Sequence, residues 1–186
     1  MAASDSSGTH SSYAEPMPTI TQTCLCLIRR HTAAGPEVLL GLKKSGFGAG
    51  KWVGLGGHIE DGEKAEAAAV REVQEESGLI VSADSIQHMA SIEFRFPARP
   101  SWDQTAEVFV TWDFQGEPGE SDEVAPKWFG EDELPLDRMW DDAKYWLPLV
   151  LAGERVDVVI TFAADCATVE RTEPDLVVAR GPVDQG

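Results

Sequence analysis

Three glutamates stand close together in a segment whose composition predicts a helix. Residues 64–77 contain neither Gly nor Pro and are rich in Ala and Glu, and Gly78 is placed to end such a helix in a left-handed cap. Glu72, Glu75 and Glu76 are then neighbours, and like charges at this spacing oppose a helix by roughly 0.2 to 0.5 kcal/mol per pair. Mg²⁺ is commonly bound by one or two carboxylates together with substrate phosphates, so a cation would turn this repulsion into a binding site. The alternative for such a charge run is a solvated acidic face.

A glycine-rich loop precedes this helix and favours the cation site. Gly54, Gly56 and Gly57 surround Leu55, a density of glycine expected where the backbone approaches a ligand closely. The complete pattern consists of Gly57, Glu63, the triplet Arg71-Glu72-Val73, the pair Glu75-Glu76 and the pair Gly78-Leu79. This pattern resembles the Nudix box at every defined position. On these residues the chain is similar to the Nudix hydrolase family.

The resemblance to the Nudix hydrolases implies a reaction and a cofactor. Members of the family cleave a nucleoside diphosphate that is linked to another group, and they use Mg²⁺ or Mn²⁺. The metal ligands that the resemblance implies are the Gly56 carbonyl and the carboxylates of Glu72, Glu75, Glu76 and Glu123. Arg71 would organise the loop and the helix through ion pairs, and Glu63 would brace the loop. Glu75, Glu76 and Glu123 remain alternatives for the carboxylate that accepts a proton from the attacking water.

Further segments resemble one group within the family, the MutT-like hydrolases that remove oxidised purine nucleoside triphosphates such as 8-oxo-dGTP. The segments that carry this resemblance are residues 38–52, 120–123, 128–129, 139–140 and 145–146. The base pocket that it implies is formed by Thr23, Lys43, Phe47, Phe94, Phe96, Trp140, Asp142 and Trp146. Trp140 would be the stacking surface, because an aromatic face holds a flat base by roughly 1 to 3 kcal/mol, and Asp142 would read a purine edge. The alternative for Phe94, Phe96 and Trp146 is a plain core position.

Two positions depart from the pattern of this group. Val53, a further predicted substrate-binding residue, stands where the group has an asparagine in the base pocket, and Ala143 stands where it has the second of two adjacent aspartates. An amide can donate to and accept from a base edge, whereas an isopropyl group does neither, so hydrogen-bond recognition of the base is weakened. A different nucleotide, such as an unmodified or pyrimidine triphosphate, is therefore the alternative substrate. A nucleotide-binding protein without turnover is the alternative of a different class.

Charge and hydropathy restrict the partners. The 186 residues include 32 acidic and 15 basic side chains, and the formal net charge of −17 repels a nucleic acid polymer. The charge of a mononucleotide can instead be met locally by a metal ion and a few side chains. No apolar stretch reaches membrane-spanning length, and the N-terminus lacks the apolar segment of a signal peptide. We expect a cytoplasmic protein whose partner is a small nucleotide, and neither a membrane nor a nucleic acid; the oligomeric state stays open.

The elements that must position these residues are predicted as strands mixed with two helices. The predicted strands are residues 21–28, 38–43, 85–96, 107–114, 126–129, 155–162 and 168–171, and the second helix lies within residues 134–153. This order implies an α/β domain with a mixed β-sheet, in agreement with the helix-sheet-helix sandwich of the Nudix fold. We expect a disordered N-terminal tail at residues 1–18, one hydrolase domain at residues 19–172 and a loose C-terminal tail at residues 173–186.

Overall fold

The computed structural model describes residues 20–176, which form an eight-stranded sheet with two α-helices. The strands are β1 (Thr21–Thr32), β2 (Gly35–Lys43), β3 (Trp52–Val53), β4 (Gln87–Arg95), β5 (Gln104–Thr111), β6 (Val124–Gly130), β7 (Val156–Phe162) and β8 (Val169–Glu173). The α-helices are α1 (Ala65–Ser77) and α2 (Ala143–Leu151), and 3-10 helices cover Pro100–Trp102 and Leu136–Arg138. The expected N-terminal tail and residues 177–186 of the expected C-terminal tail lie outside the described residues. Within residues 20–176, no helix is long and apolar enough to cross a membrane.

The sheet is mixed, as predicted. Its strand order is β3-β2-β1-β5-β4-β7-β8, and β6 pairs with the other edge of β2. β1 runs parallel to β5 and β4 runs parallel to β7, whereas the remaining pairs are antiparallel. The predicted α/β class is confirmed.

The glycine-rich loop fills a gap in the sheet between β1 and β2. These two strands pair only near their shared turn, through residues 28–32 of β1 and residues 35–39 of β2. Beyond that point β3 pairs with Gly41 and Leu42 of β2, while Leu55 and His58 form bridges to the first half of β1. The segment 52–58 is therefore held on both sides by hydrogen-bonded backbone, and it can present its glycines in a defined place.

The two helices cover opposite faces of the sheet. Successive side chains of a strand point to opposite faces, and in β1 Cys24 and Cys26 join the core cluster of α1, whereas Leu25 and Leu27 join that of α2. From α1 the side chains of Ala68, Ala69 and Val73 enter the first cluster; from α2 those of Trp146, Leu147 and Val150 enter the second. Full burial of one large aliphatic side chain contributes roughly 1.5 to 3 kcal/mol, so each helix is anchored by its apolar face. The predicted helix-sheet-helix sandwich is confirmed.

The second predicted helix is confirmed, because α2 lies within residues 134–153. Before it, the 3-10 helix Leu136–Arg138 is followed by Met139 in extended backbone, with φ −99° and ψ 178°, and α2 begins at Ala143. Extended backbone cannot continue the helical hydrogen bonds, and this separates the two pieces. Trp140 and Asp142 consequently lie in the link before α2. The two-residue strand β3 was not predicted, because two residues are too short to show an alternating pattern.

Candidate active site

Arg71 of α1 ties the helix to the loop that precedes it. Its Nε and Nη2 donate to the two oxygens of Glu63 at 3.0 and 2.9 Å, and Nη2 also donates to the His58 carbonyl at 3.0 Å. Its Nη1 donates to Glu72 at 2.8 Å and to Glu75 at 3.2 Å. A two-pronged guanidinium–carboxylate contact fixes orientation as well as distance. The loop and the helix therefore form one unit.

Glu76 is the buried carboxylate of α1. Only 4% of the residue is exposed, and its Oε2 accepts a hydrogen bond from the Gly56 N–H at 2.8 Å. Burial raises the pKa of Glu76 to about 7; the Gly56 N–H and the charge of Lys43 act in the opposite direction, and the negative charges of Glu72 and Glu123 raise it further. A cation among these carboxylates would favour their ionised forms.

The other predicted acidic residues, Glu72, Glu75 and Glu123, differ in how far their side chains are exposed to solvent. Gly57 approaches Glu72 so closely that a Cβ at Gly57 would lie 2.5 Å from Glu72 Oε1. The side chain of Glu75 is 60% exposed. Glu123 is exposed in the loop before β6, and its carbonyl accepts the Lys44 N–H at 2.8 Å, which holds this loop against the end of β2.

These glutamates do not form a preassembled metal site. Within the described part of the chain, no group of three His, Cys, Asp or Glu side chains is arranged to hold a metal ion. Arg71 donates a hydrogen bond to one oxygen of Glu72 and to one oxygen of Glu75. The donors are nevertheless oxygens, the ligands that Mg²⁺ prefers, and Mg²⁺ usually completes its coordination with substrate phosphate and water. The residues fit an ion that binds together with a nucleotide.

A cavity of about 310 Å³ lies on the α2 face of the sheet. All nine residues predicted to bind substrate line it: Thr23, Lys43, Phe47, Val53, Phe94, Phe96, Trp140, Asp142 and Trp146. The same cavity reaches Gly56 and Gly57, against which Glu76 and Glu72 lie. Its volume is within the usual range for small-molecule sites, roughly 300 to 1,000 Å³. One continuous space thus joins the predicted base pocket to the loop glycines beside Glu72 and Glu76.

Asp142 is a buried carboxylate in the wall of this cavity. Its Oδ2 accepts a hydrogen bond from Trp146 Nε1 at 2.7 Å, and 6% of the residue is exposed. Burial raises the pKa of Asp142 to about 6, against the opposing effect of the Trp146 hydrogen bond. The hydroxyl of Thr23 donates to the Thr105 carbonyl at 2.8 Å, so its oxygen is left to accept from a ligand. Ala143, also in the lining, offers no hydrogen bond.

Aromatic rings form much of the remaining wall. Phe47 stacks on Trp140 with ring centroids 4.9 Å apart and planes inclined by 19°. Lys51 Nζ lies 5.0 Å from the centre of the Trp140 ring and donates to the Met139 carbonyl at 3.2 Å. Sequence reasoning missed further lining residues, among them Trp102, Met139 and Phe162. Their local sequence gives no sign of the cavity, because strand pairing and the break before α2 bring them to it.

Comparisons with known proteins agree with this geometry. A family model described as the NUDIX domain matches residues 18–150. Proteins named oxidized purine nucleoside triphosphate hydrolase from Danio rerio and Mus musculus are 46% and 44% identical to the chain over 119 residues, which are 64% of this chain and 74% of each relative. The crystal structure of a MutT mutator protein from Bacillus halodurans is similar in fold, with a TM-score of 0.68 at 22% identity over 84% of this chain and 99% of that one.

Proposed function

We propose that this chain, which belongs to the NUDIX family, hydrolyses oxidised or otherwise modified purine nucleoside triphosphates such as 8-oxo-dGTP. The products are a nucleoside monophosphate and pyrophosphate, and the cofactor is Mg²⁺ or Mn²⁺. The relatives from Danio rerio and Mus musculus support the substrate class through their names. A hydrolase of phosphorus anhydrides accounts for both halves of the site.

The observation that carries the proposal is the continuity of the cavity. At one end, the stacked rings of Phe47 and Trp140 and the carboxyl group of Asp142 line the cavity, and they suit a flat base with hydrogen-bonding edges. At the other end, the cavity reaches the two glycines that contact Glu76 and Glu72. A nucleotide bound with its base against Trp140 would extend its phosphates toward these carboxylates.

The reaction needs little covalent chemistry from the protein. Water attacks phosphorus, the anhydride bond between the α- and β-phosphates breaks so that the nucleoside monophosphate and pyrophosphate separate, and a carboxylate of the site accepts a proton from the water. When bound, the divalent ion neutralises phosphate charge and makes water a better nucleophile. Lys43 lines the cavity on the side of Glu76 and can pair with a phosphate. Among Glu75, Glu76 and Glu123, we assign acceptance of the water proton to Glu76. It is the buried carboxylate, and the Gly56 N–H holds one of its oxygens in place.

A second candidate, an unmodified or pyrimidine nucleoside triphosphate, is favoured by one specific observation. Both Val53 and Ala143 line the cavity, and neither side chain can form a hydrogen bond with a base. In a closed pocket, a polar base group without a partner costs roughly 1 to 3 kcal/mol, which is enough to change the preferred base.

Turnover of a nucleotide panel tests the proposal. Purified protein is incubated with Mg²⁺ and each of 8-oxo-dGTP, dGTP, dATP, dCTP and ADP-ribose, and monophosphate and pyrophosphate are quantified. The highest kcat/KM is expected for 8-oxo-dGTP. A preference for dCTP or ADP-ribose would contradict the purine assignment. Binding of nucleotides without turnover of any of them would show a non-catalytic protein.

A further inference from the structure

Five aromatic side chains form a closed circuit at the cavity. The members of this aromatic circuit are Phe47, Phe96, Trp102, Trp140 and Phe162. Phe96 and Phe162 are buried and stack on one another with centroids 4.4 Å apart, so they form its inner part. Phe47 is 43% exposed, and Trp102 connects it to Phe96, with centroids 5.0 Å from Phe47 and 5.8 Å from Phe96. Trp102 therefore lies between the buried ring of Phe96 and the partly exposed ring of Phe47.

The turn between β4 and β5 holds Trp102 in this place. The N–H of Phe96 donates to Asp103 Oδ1 at 2.7 Å and closes the turn, while the N–H of Trp102 donates to the Arg99 carbonyl at 2.9 Å. The guanidinium of Arg99 lies 4.3 Å from the centre of the indole ring. The resemblance assigns a role to no residue between 97 and 119. The position of Trp102 is thus a feature of the folded structure alone.

The ring planes define how Trp102 would meet a bound base. Phe47 and Trp140 are nearly parallel, at 19°, whereas Trp102 is inclined by 82° to Phe47. Trp102 is consequently steep relative to the plane of Trp140. Both rings line the cavity, so a base that lies there parallel to Phe47 and Trp140 would turn its edge toward Trp102.

We propose that Trp102 is a specificity-determining residue that forms the side wall of the base site and limits the size of the base edge that enters. The proposal rests on the proposed function, since it takes the ligand to be a purine nucleotide. An aromatic wall at an edge favours a base that fills the space up to it and excludes one with a bulky substituent on that edge.

Nucleotide binding and turnover of matched variants test this role. The variants are Trp102→Ala and Trp102→Phe, with Trp112→Ala as the control, because Trp112 is an exposed tryptophan outside the cavity lining that stacks on His31. Calorimetry measures the Kd of the α,β-methylene analogue of dGTP, whose α–β bridge is not cleaved. Competition then ranks triphosphates with bulky groups at the 2-, 6- and 8-positions of the purine. Far-ultraviolet circular dichroism establishes that each variant is folded.

Trp102→Ala is expected to raise the Kd of the analogue by about tenfold, the upper end of the range for one edge-to-face aromatic contact, and to raise relative affinity for at least one bulky purine. Trp102→Phe should retain most of the affinity, and Trp112→Ala all of it. An unchanged Kd and an unchanged ranking in folded Trp102→Ala would overturn the proposal, as would equal losses in the two alanine variants. If Trp102→Ala does not fold, the ranking in Trp102→Phe decides, since the shorter ring must admit the bulky purines more readily. If the unaltered protein hydrolyses no nucleotide but its nucleotide binding still depends on Trp102, the proposed function is contradicted and the role of Trp102 in binding is not.

Discussion

Replacing Asp142 by asparagine should stabilise the fold above neutral pH. Burial raises the pKa of Asp142 from 3.8 to about 6, so the folded chain holds this proton more tightly than the unfolded chain. Ionisation of Asp142 therefore lowers the free energy of unfolding as the pH rises from the pKa of the unfolded chain to that of the folded chain. Above the folded pKa the full loss of stability persists. A shift of about two units, at about 1.4 kcal/mol per unit, gives a cost of about 3 kcal/mol. Asparagine keeps an oxygen for the Trp146 N–H and carries no charge.

Urea unfolding at several pH values measures this effect. The stability difference between Asp142→Asn and the unaltered chain should grow by about 1.4 kcal/mol between about pH 5 and about pH 8, because the unaltered carboxyl ionises in that interval. A difference that is constant or shrinks with rising pH would refute the reasoning, since it would mean that burial does not disfavour the charge.

Asp165 supplies a control of opposite sign. The Thr168 hydroxyl and the N–H groups of Ala167 and Thr168 donate to its carboxylate and lower its pKa to about 2. Its contribution to stability is therefore present above the unfolded pKa and is lost as the pH falls through the folded one. Asp165→Asn should destabilise the fold at neutral pH. Asp142→Asn should in addition weaken discrimination among purines if, as we propose, the Asp142 carboxyl group contacts the base.

Two further substitutions test the specificity and the geometry of the site. Val53→Asn should raise the ratio of kcat/KM for 8-oxo-dGTP to that for dGTP by about tenfold, because one added hydrogen bond to a base edge is worth roughly 1 kcal/mol or more; an unchanged ratio would show that Val53 does not meet the base. Gly57→Ala should lower turnover by about tenfold or more with little change in thermal stability, because the new methyl group displaces the flexible end of Glu72 from the position next to the loop. Gly119→Ala is its control, since a Cβ there would make only an ordinary contact, 3.8 Å from the Ser77 carbonyl oxygen, and an equal loss of turnover in both variants would contradict the assignment of Glu72.

The predictable part of the site lies in one contiguous stretch of sequence. The absence of Gly and Pro from residues 64–77 predicted α1, which the structure places at Ala65–Ser77, and Gly78 ends it with φ 74° as expected. The neighbourhood of the glutamates follows from helical spacing. That Glu76 would be buried and Glu75 exposed could not be predicted, because it depends on how the loop 52–58 packs between β1 and β2.

The cavity could be predicted only where the resemblance supplied positions. Spacing alone indicated only that a helix lies within residues 134–153, and the extended backbone at Met139, which precedes Trp140 and Asp142 in the cavity wall, has no local signature. Trp102 could not be foreseen, because it reaches the cavity through the turn between β4 and β5. Tertiary packing thus decides the base site, whereas the carboxylates of α1 could be read from local spacing.

Pyrophosphate release by Glu76→Gln tests most directly whether the cavity and α1 form one active site. The control is Glu66→Gln, because Glu66 is an exposed residue of the same helix. With Mg²⁺ and 8-oxo-dGTP, the unaltered chain and Glu66→Gln should react at similar rates, and each should release one pyrophosphate for every nucleoside monophosphate. Glu76→Gln should bind the nucleotide but release pyrophosphate about a hundredfold more slowly or worse, as expected for loss of a group that acts on the reacting centre. A rate for folded Glu76→Gln near that of the unaltered chain, or products consisting of a nucleoside diphosphate and phosphate, would contradict this account.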